Sequence, residues 1–178
     1  PTLGQILPSG VGRISASGAI TDTGAKLDIA GGIVGGTTIG TEGNLWFAFQ
    51  GAAVRLSAIE RVTPTGAVTA FRDCLRYSQP WFGPATLATG ANGDIWFTSL
   101  ASRMLPGITD PPSVGRVTPS GEIARIYAGV RLEPRWILAG PDGAIWVSGR
   151  GEEIQRIAPI AAPINTFRVA RLRGASPN

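Results

Sequence analysis

Short runs of alternating or apolar residues, each closed by a glycine or proline turn, order this chain from one end to the other. The run Thr86-Leu-Ala-Thr-Gly90 meets the turn Ala91-Asn-Gly93 and returns as Asp94-Ile-Trp-Phe-Thr98, rich in branched and aromatic residues. Gly115-Arg-Val-Thr118 alternates, Pro119-Ser-Gly121 turns, and Glu122-Ile-Ala-Arg-Ile-Tyr127 alternates back. Turn chemistry between two β-prone runs predicts a hairpin in each case. The proline falls where no ladder N–H is required. Between these glycines and prolines no window sustains a 3.6-residue period, so helices are not expected.

Both hairpins recur. Gly40-Thr-Glu-Gly-Asn-Leu-Trp46-Phe47, Gly90-Ala-Asn-Gly-Asp-Ile-Trp96-Phe97 and Gly140-Pro-Asp-Gly-Ala-Ile-Trp146-Val147 are copies of one pattern, their tryptophans 50 residues apart. A second pattern follows each: Ile59-Glu-Arg61-Val-Thr-Pro64-Thr-Gly66, Val114-Gly-Arg116-Val-Thr-Pro119-Ser-Gly121 and the weaker Ile154-Gln-Arg156-Ile-Ala-Pro159. An earlier copy, Val11-Gly-Arg13-Ile-Ser-Ala-Ser-Gly18, opens the chain. Two hairpins per period make four antiparallel strands, A to D in chain order, which is the composition of a β-propeller blade. The fold class is therefore all-β: a single partial propeller with a half-blade at about 11–23, full blades at about 33–72, 84–127 and 134–169, and a tail at 170–178. The tryptophans, in mid-strand B, are expected to fill the seams between blades rather than a ligand box.

About three and a half blades leave closure open, because rings of this kind need roughly four to eight. The chain is the C-terminal part of a longer propeller, or pairs with a second chain, or takes missing strand structure from residues 1–10. A start in mid-repeat favours the first.

Composition narrows the function classes. At 178 residues, 43% hydrophobic and with mean hydropathy of +0.15, the chain has ample material for one core. No run approaches the roughly 18 apolar residues of a membrane-spanning helix, and the first ten residues lack a signal-peptide pattern. The net charge of +4 is scattered, with Lys26 the one lysine among 16 basic residues, so a nucleic-acid partner is not expected. The densest basic segment, Arg168, Arg171 and Arg173, reads as a solvated terminus. Cys74 stands alone, which excludes an intrachain disulfide and a cysteine-cluster metal site. Histidine is absent, removing the usual general base and the commonest metal ligand.

The joint pattern, G-x-D/N-G-x-I/L-W-F followed by I/V-G-R-I/V-T-P-x-G, resembles the repeat of the streptogramin B (virginiamycin B) lyase family over about residues 11–169. The resemblance implies a seven-bladed propeller that opens a cyclic depsipeptide antibiotic by metal-assisted elimination, with a histidine base and magnesium near its centre. It places the histidine after the proline leading into strand A, and acidic residues at the end of strand B. At the first position this chain has Gly35, Ala85 and Arg135, and at the second Phe49, Ser99 and Gly149. None is a base at neutral pH or a carboxylate for a hard cation. The other acids, such as Glu42, Asp94, Asp142 and Glu152, read as solvated turn or cap residues.

What remains for function is binding. Loops at blade ends carry most propeller contacts, and two stretches, 72–83 and 100–113, exceed what a connection needs. Arg135 and Trp81, each just before a strand A, are candidate contacts, with Phe49 and Ser99 at the strand B ends; an arginine there suits an anionic group. The leading expectation is a non-catalytic binding or assembly module without a cofactor. Its partner is a protein, through self-association or blades from another chain; a small-molecule ligand is a further option. The alternatives are a lyase-like enzyme with its catalytic residues outside this chain, where magnesium enters, and a hydrolase or lactonase on the same scaffold. Export is expected only by analogy with bacterial relatives.

Overall fold

In the computed structural model, described at residues 10–27, 33–50, 58–71, 84–99, 112–126, 133–150, 153–158 and 165–168, all regular structure is β-strand. The first sheet pairs β1 (Gly10–Ile14) with β2 (Ile20–Lys26). Three four-stranded antiparallel meanders follow. One is β3 (Ile33–Ile39), β4 (Leu45–Gln50), β5 (Ala58–Val62) and β6 (Val68–Phe71). The next is β7 (Pro84–Thr89), β8 (Ile95–Ser99), β9 (Ser113–Val117) and β10 (Ile123–Ile126). The last is β11 (Glu133–Ala139), β12 (Ile145–Arg150), β13 (Glu153–Ile157) and β14 (Asn165–Arg168). These are propeller blades, and the four-stranded sheets fill blade positions A to D in chain order. Among the described residues no helix is long and apolar enough to cross a membrane.

The two glycines of Gly-x-x-Gly-x-x-Trp have different physical causes. The second, Gly43, Gly93 or Gly143, has φ of 73°, 85° or 76°, the left-handed region that closes a three-residue hairpin loop. Its N–H bonds back to the carbonyl of the first glycine at 3.0–3.2 Å in all three turns. The first glycine makes room for the indole: a Cβ on Gly40, Gly90 or Gly140 would lie 2.6, 2.8 or 2.7 Å from the tryptophan Nε1. Sequence spacing, turn and tryptophan rotamer are therefore one unit.

Successive side chains of a strand point to opposite faces, so each blade has a leading face, toward the blade before it, and a trailing face, toward the one after. In β8, Ile95 and Phe97 lead, and Trp96 trails. Phe97, Ile95, Leu87 and Val117 pack against Trp46, Ala48 and Ile59 of the previous blade. Trp96 and Val114 pack against Ile145, Val147 and Ile157 of the next. Ala25 of the first sheet meets Phe47 and Val62. The core is thus a series of seams between sheets, with Trp46 and Trp96 only 2% and 1% exposed. Truncating an indole so enclosed costs about 3–5 kcal/mol.

Polar ties cross the seam between β3 and β7. The hydroxyls of Thr38 and Thr89 lie 2.9 Å apart, and Thr89 also donates to the Ile39 carbonyl at 2.7 Å. Nearer the outer strands, Arg61 Nη1 donates to the Pro119 carbonyl at 3.1 Å while its guanidinium lies over the rings of Trp46 and Phe71.

Candidate functional site

Strand A carries a β-bulge at the same place in all three full blades, between Val34 and Thr37, Pro84 and Leu87, and Pro134 and Trp136. One extra residue there re-aims the end of the strand. Opposite the residue before each bulge stand Phe49, Ser99 and Gly149, paired with Val34, Pro84 and Pro134. The positions singled out in the sequence, Gly35, Ala85 and Arg135 on strand A and Phe49, Ser99 and Gly149 on strand B, therefore gather at one end of each A–B hairpin, away from its glycine turn.

Their environments differ. Arg135 is exposed on its bulge. Ser99 is 1% exposed beside Ser113, its cross-strand neighbour, also at 1%. Phe49 is wholly buried. Thr98 satisfies the bulge of its blade, accepting from the Thr86 N–H at 3.2 Å and sharing a hydrogen bond with the Thr86 hydroxyl at 2.8 Å. Among the described side chains, this end of the hairpins offers hydroxyls and the Arg135 guanidinium beside the backbone. Trp81, Cys74, Glu152, the stretch 72–83 and positions 100–111 lie outside the described residues.

Magnesium does not fit the set. Phe49 brings no donor, Gly149 no side chain and Ser99 a single enclosed hydroxyl, whereas a hard cation takes several oxygen ligands, carboxylates among them. Among the described residues no three His, Cys, Asp or Glu side chains cluster.

The repeated arginines pin each blade in a different way. Arg116 Nη1 meets Asp94 Oδ2 at 2.9 Å. Asp94 is 4% exposed and also accepts from the Asn92 amide at 2.8 Å, so it is an enclosed ion-pair partner and not the solvated turn acid its sequence position suggested. Arg156 grips Asp142 through Nε at 3.1 Å and Nη2 at 2.6 Å, and its guanidinium lies over the Trp146 ring. The hydrogen bonds from Arg156, with the Ala144 N–H, hold the Asp142 carboxyl below the ordinary carboxylate range. Glu60 went unremarked in the sequence, yet it is wholly buried on the leading face at a position where the other copies have Gly12, Gly115 and Gln155.

An open apolar groove lies on the trailing face of the last blade. Trp136, Leu138, Trp146, Ser148 and Ile154 line a groove of about 390 Å³, with Trp136 69% and Leu138 67% exposed. Trp146, expected from the sequence to fill a seam, instead borders this groove, and sequence reasoning passed over Trp136 and Leu138 although a signal was present. Fifty positions apart, Gly36 and Thr38, then Thr86 and Ala88, give way to Trp136 and Leu138.

No protein-family model matches the chain, and no curated protein matches its sequence. Solved structures do. A catalytically inactive histidine-to-alanine variant of virginiamycin B lyase from Staphylococcus aureus, with quinupristin, aligns at 24% identity and a TM-score of 0.68 over 89% of this chain and 48% of that one. A gluconolactonase from Xanthomonas campestris aligns at 20% identity and a TM-score of 0.60 over 89% of this chain and 54% of the other. A protein of unknown function from Bacteroides caccae gives 16% identity and a TM-score of 0.62 over 93% and 56%. The chain spans about half the length of the structures it matches. In fold, then, it is a run of β-propeller blades like those of virginiamycin B lyase and the gluconolactonase-like proteins.

Proposed function

We propose that this chain is a propeller assembly module that works by binding, and that the partner of its last blade is the apolar leading face of a further blade. The observation that carries this reading is the trailing face of that blade. Trp146 and Ile154 occupy the positions of Trp46 and Ile59, and of Trp96 and Val114, which two interior seams bury against a following sheet. The same surface continued past the last described blade needs the same kind of cover, because an exposed apolar patch of this sort marks an interaction site.

A second reading, a virginiamycin B lyase-like carbon–oxygen lyase with its reactive groups supplied from outside this chain, draws on the structural likeness. In that reading Arg135, exposed at the bulge, is the candidate contact for an anionic group of the substrate. Both readings meet one test. The purified chain is incubated with quinupristin and magnesium, and separately with a sugar lactone, and mass spectrometry follows ring opening. The assembly reading expects no product above the chain-free control; sustained turnover by this chain alone refutes it.

A further inference from the structure

Each full blade sets an arginine of strand C across from its tryptophan: Arg61 opposite Trp46, Arg116 opposite Trp96, Arg156 opposite Trp146. Two of the three hold a carboxylate of the A–B turn. Arg116 meets Asp94, and Arg156 grips Asp142 by its Nε and Nη2 edge. In the first full blade the same two turn positions are Asn44 and Glu42. Asn44 is an amide, and its Nδ2 donates to Glu42 Oε2 at 3.4 Å, which turns that carboxylate toward the amide. Among the described residues no carboxylate forms an ion pair with Arg61.

The donors of Arg61 are unevenly used. Nη1 is given to the Pro119 carbonyl of the next blade, while Nε is buried with no acceptor among the described residues. A buried donor left in that state is unfavourable. Beside it, at the mouth of the seam, lies a small pocket bordered by Thr41, Asn44 and Trp46 of one blade and by Gly93 and Pro119 of the next. Its volume is about 60 Å³, and at about 30 Å³ per liquid water that is room for about two waters or the three heavy atoms of one carboxylate group. Thr41 and Asn44 bring a hydroxyl and an amide to the same pocket, both able to donate. Glu42 borders it as well, exposed to solvent.

We infer that this pocket binds a small free carboxylate, of formate or acetate size, which takes against Arg61 the part that Asp94 takes against Arg116. The anion supplies the acceptor that Nε lacks, on the guanidinium edge through which Arg156 holds Asp142, and charge-assisted bonds of this kind are the strong ones. Glu42 is a like charge at the rim. It weakens binding without barring it, because its carboxylate is solvated and directed to Asn44. The site lies at the glycine-turn end of the hairpins, away from Arg135, and does not depend on what covers the last blade.

The test follows the Arg61 Nε–H resonance of the isotope-labelled full chain, identified by its loss in Arg61→Lys, while sodium formate replaces sodium chloride at constant ionic strength. Three heavy atoms bound at the best efficiency of very small ligands give a Kd of about 1 mM or weaker, so the titration runs to about 100 mM. The resonance is expected to move downfield along a saturable curve. Asn44→Asp restores the acid found at Asp94, which the fold already accommodates, and is expected to weaken formate binding at least about tenfold. Glu42→Gln removes the like charge and is expected to tighten it roughly two- to fivefold. Far-ultraviolet circular dichroism should be the same for all three chains. No saturable movement in the wild-type chain overturns the inference, as does phosphate binding as tightly as formate or an Asn44→Asp chain that binds formate like the wild type. Loss of the response in Glu42→Gln also overturns it, since Glu42 and not the added anion would then be the group that moves onto Arg61.

Discussion

Gly115 and Phe97 face each other across β9 and β8, and the space one lacks is the space the other fills. A Cβ at position 115 would lie 2.4, 2.8 and 2.9 Å from Cζ, Cε1 and Cε2 of the Phe97 ring. The ring cannot retreat, because it is wholly buried against Trp46, Ala48 and Ile59 of the previous blade. Overpacking of this kind costs about 1–3 kcal/mol, and replacing a mid-strand glycine by alanine returns roughly 0.5–1 kcal/mol of backbone entropy. Gly115→Ala is therefore expected to destabilise by about 1–2 kcal/mol. Phe97→Val alone leaves a cavity and is expected to cost about 2–3 kcal/mol, somewhat less than full truncation. In the double variant the methyl enters vacated space, so the combined loss should fall about 2 kcal/mol below the sum of the singles. The last blade shows the smaller pairing in place, Val147 opposite Gln155, both buried. Phe47 and Glu60 coexist in the same register, in the blade that follows the two-stranded first sheet. Urea unfolding of the four proteins measures the cycle. Costs that add to within about 0.5 kcal/mol would show that Phe97 does not depend on the missing side chain, and the steric account of the seam would be wrong.

Gly90→Ala should push the Trp96 indole from its seat and cost about 1–3 kcal/mol, visible as lost near-ultraviolet tryptophan dichroism. Asp94→Asn removes a charge-assisted bond inside a nearly closed site whose arginine is about one-third exposed, and about 1–2 kcal/mol of urea stability should go with it. Asp142 has a folded pKa below its unfolded one, so its ion pair contributes above the unfolded value and is lost as pH falls through the folded value. Acid titration should accordingly release Arg156 from over Trp146 and change the tryptophan emission; Asp142→Asn should show that changed emission at neutral pH and no further acid step from this pair.

Strand order and hairpin turns were legible because each depends on residues a few positions apart, whereas the room that Gly40, Gly90 and Gly140 leave for the indole came from the structure. A positive φ at Gly93, a proline at Pro119 and an indole six residues after Gly90 are local requirements, and a repeat states them three times. The gathering of positions 35, 85 and 135 beside 49, 99 and 149 followed from the same register. Asp94 was misjudged because its depth depends on Arg116, a partner 22 residues away across the sheet. Glu60 escaped notice because a carboxylate beside an arginine reads as a surface pair until both faces of its strand are seen to be covered.

By itself the sequence determined the blade: four strands, their turns, and which side chains share a face, since alternation and turn chemistry act within one hairpin. Only the tertiary structure decided what those faces meet. Trp46, Trp96 and Trp146 hold the same place in the same motif, yet two are sealed in seams and the third borders an open groove. Burial belongs to the contact between sheets, and a repeat carries no record of whether another sheet stands beyond it.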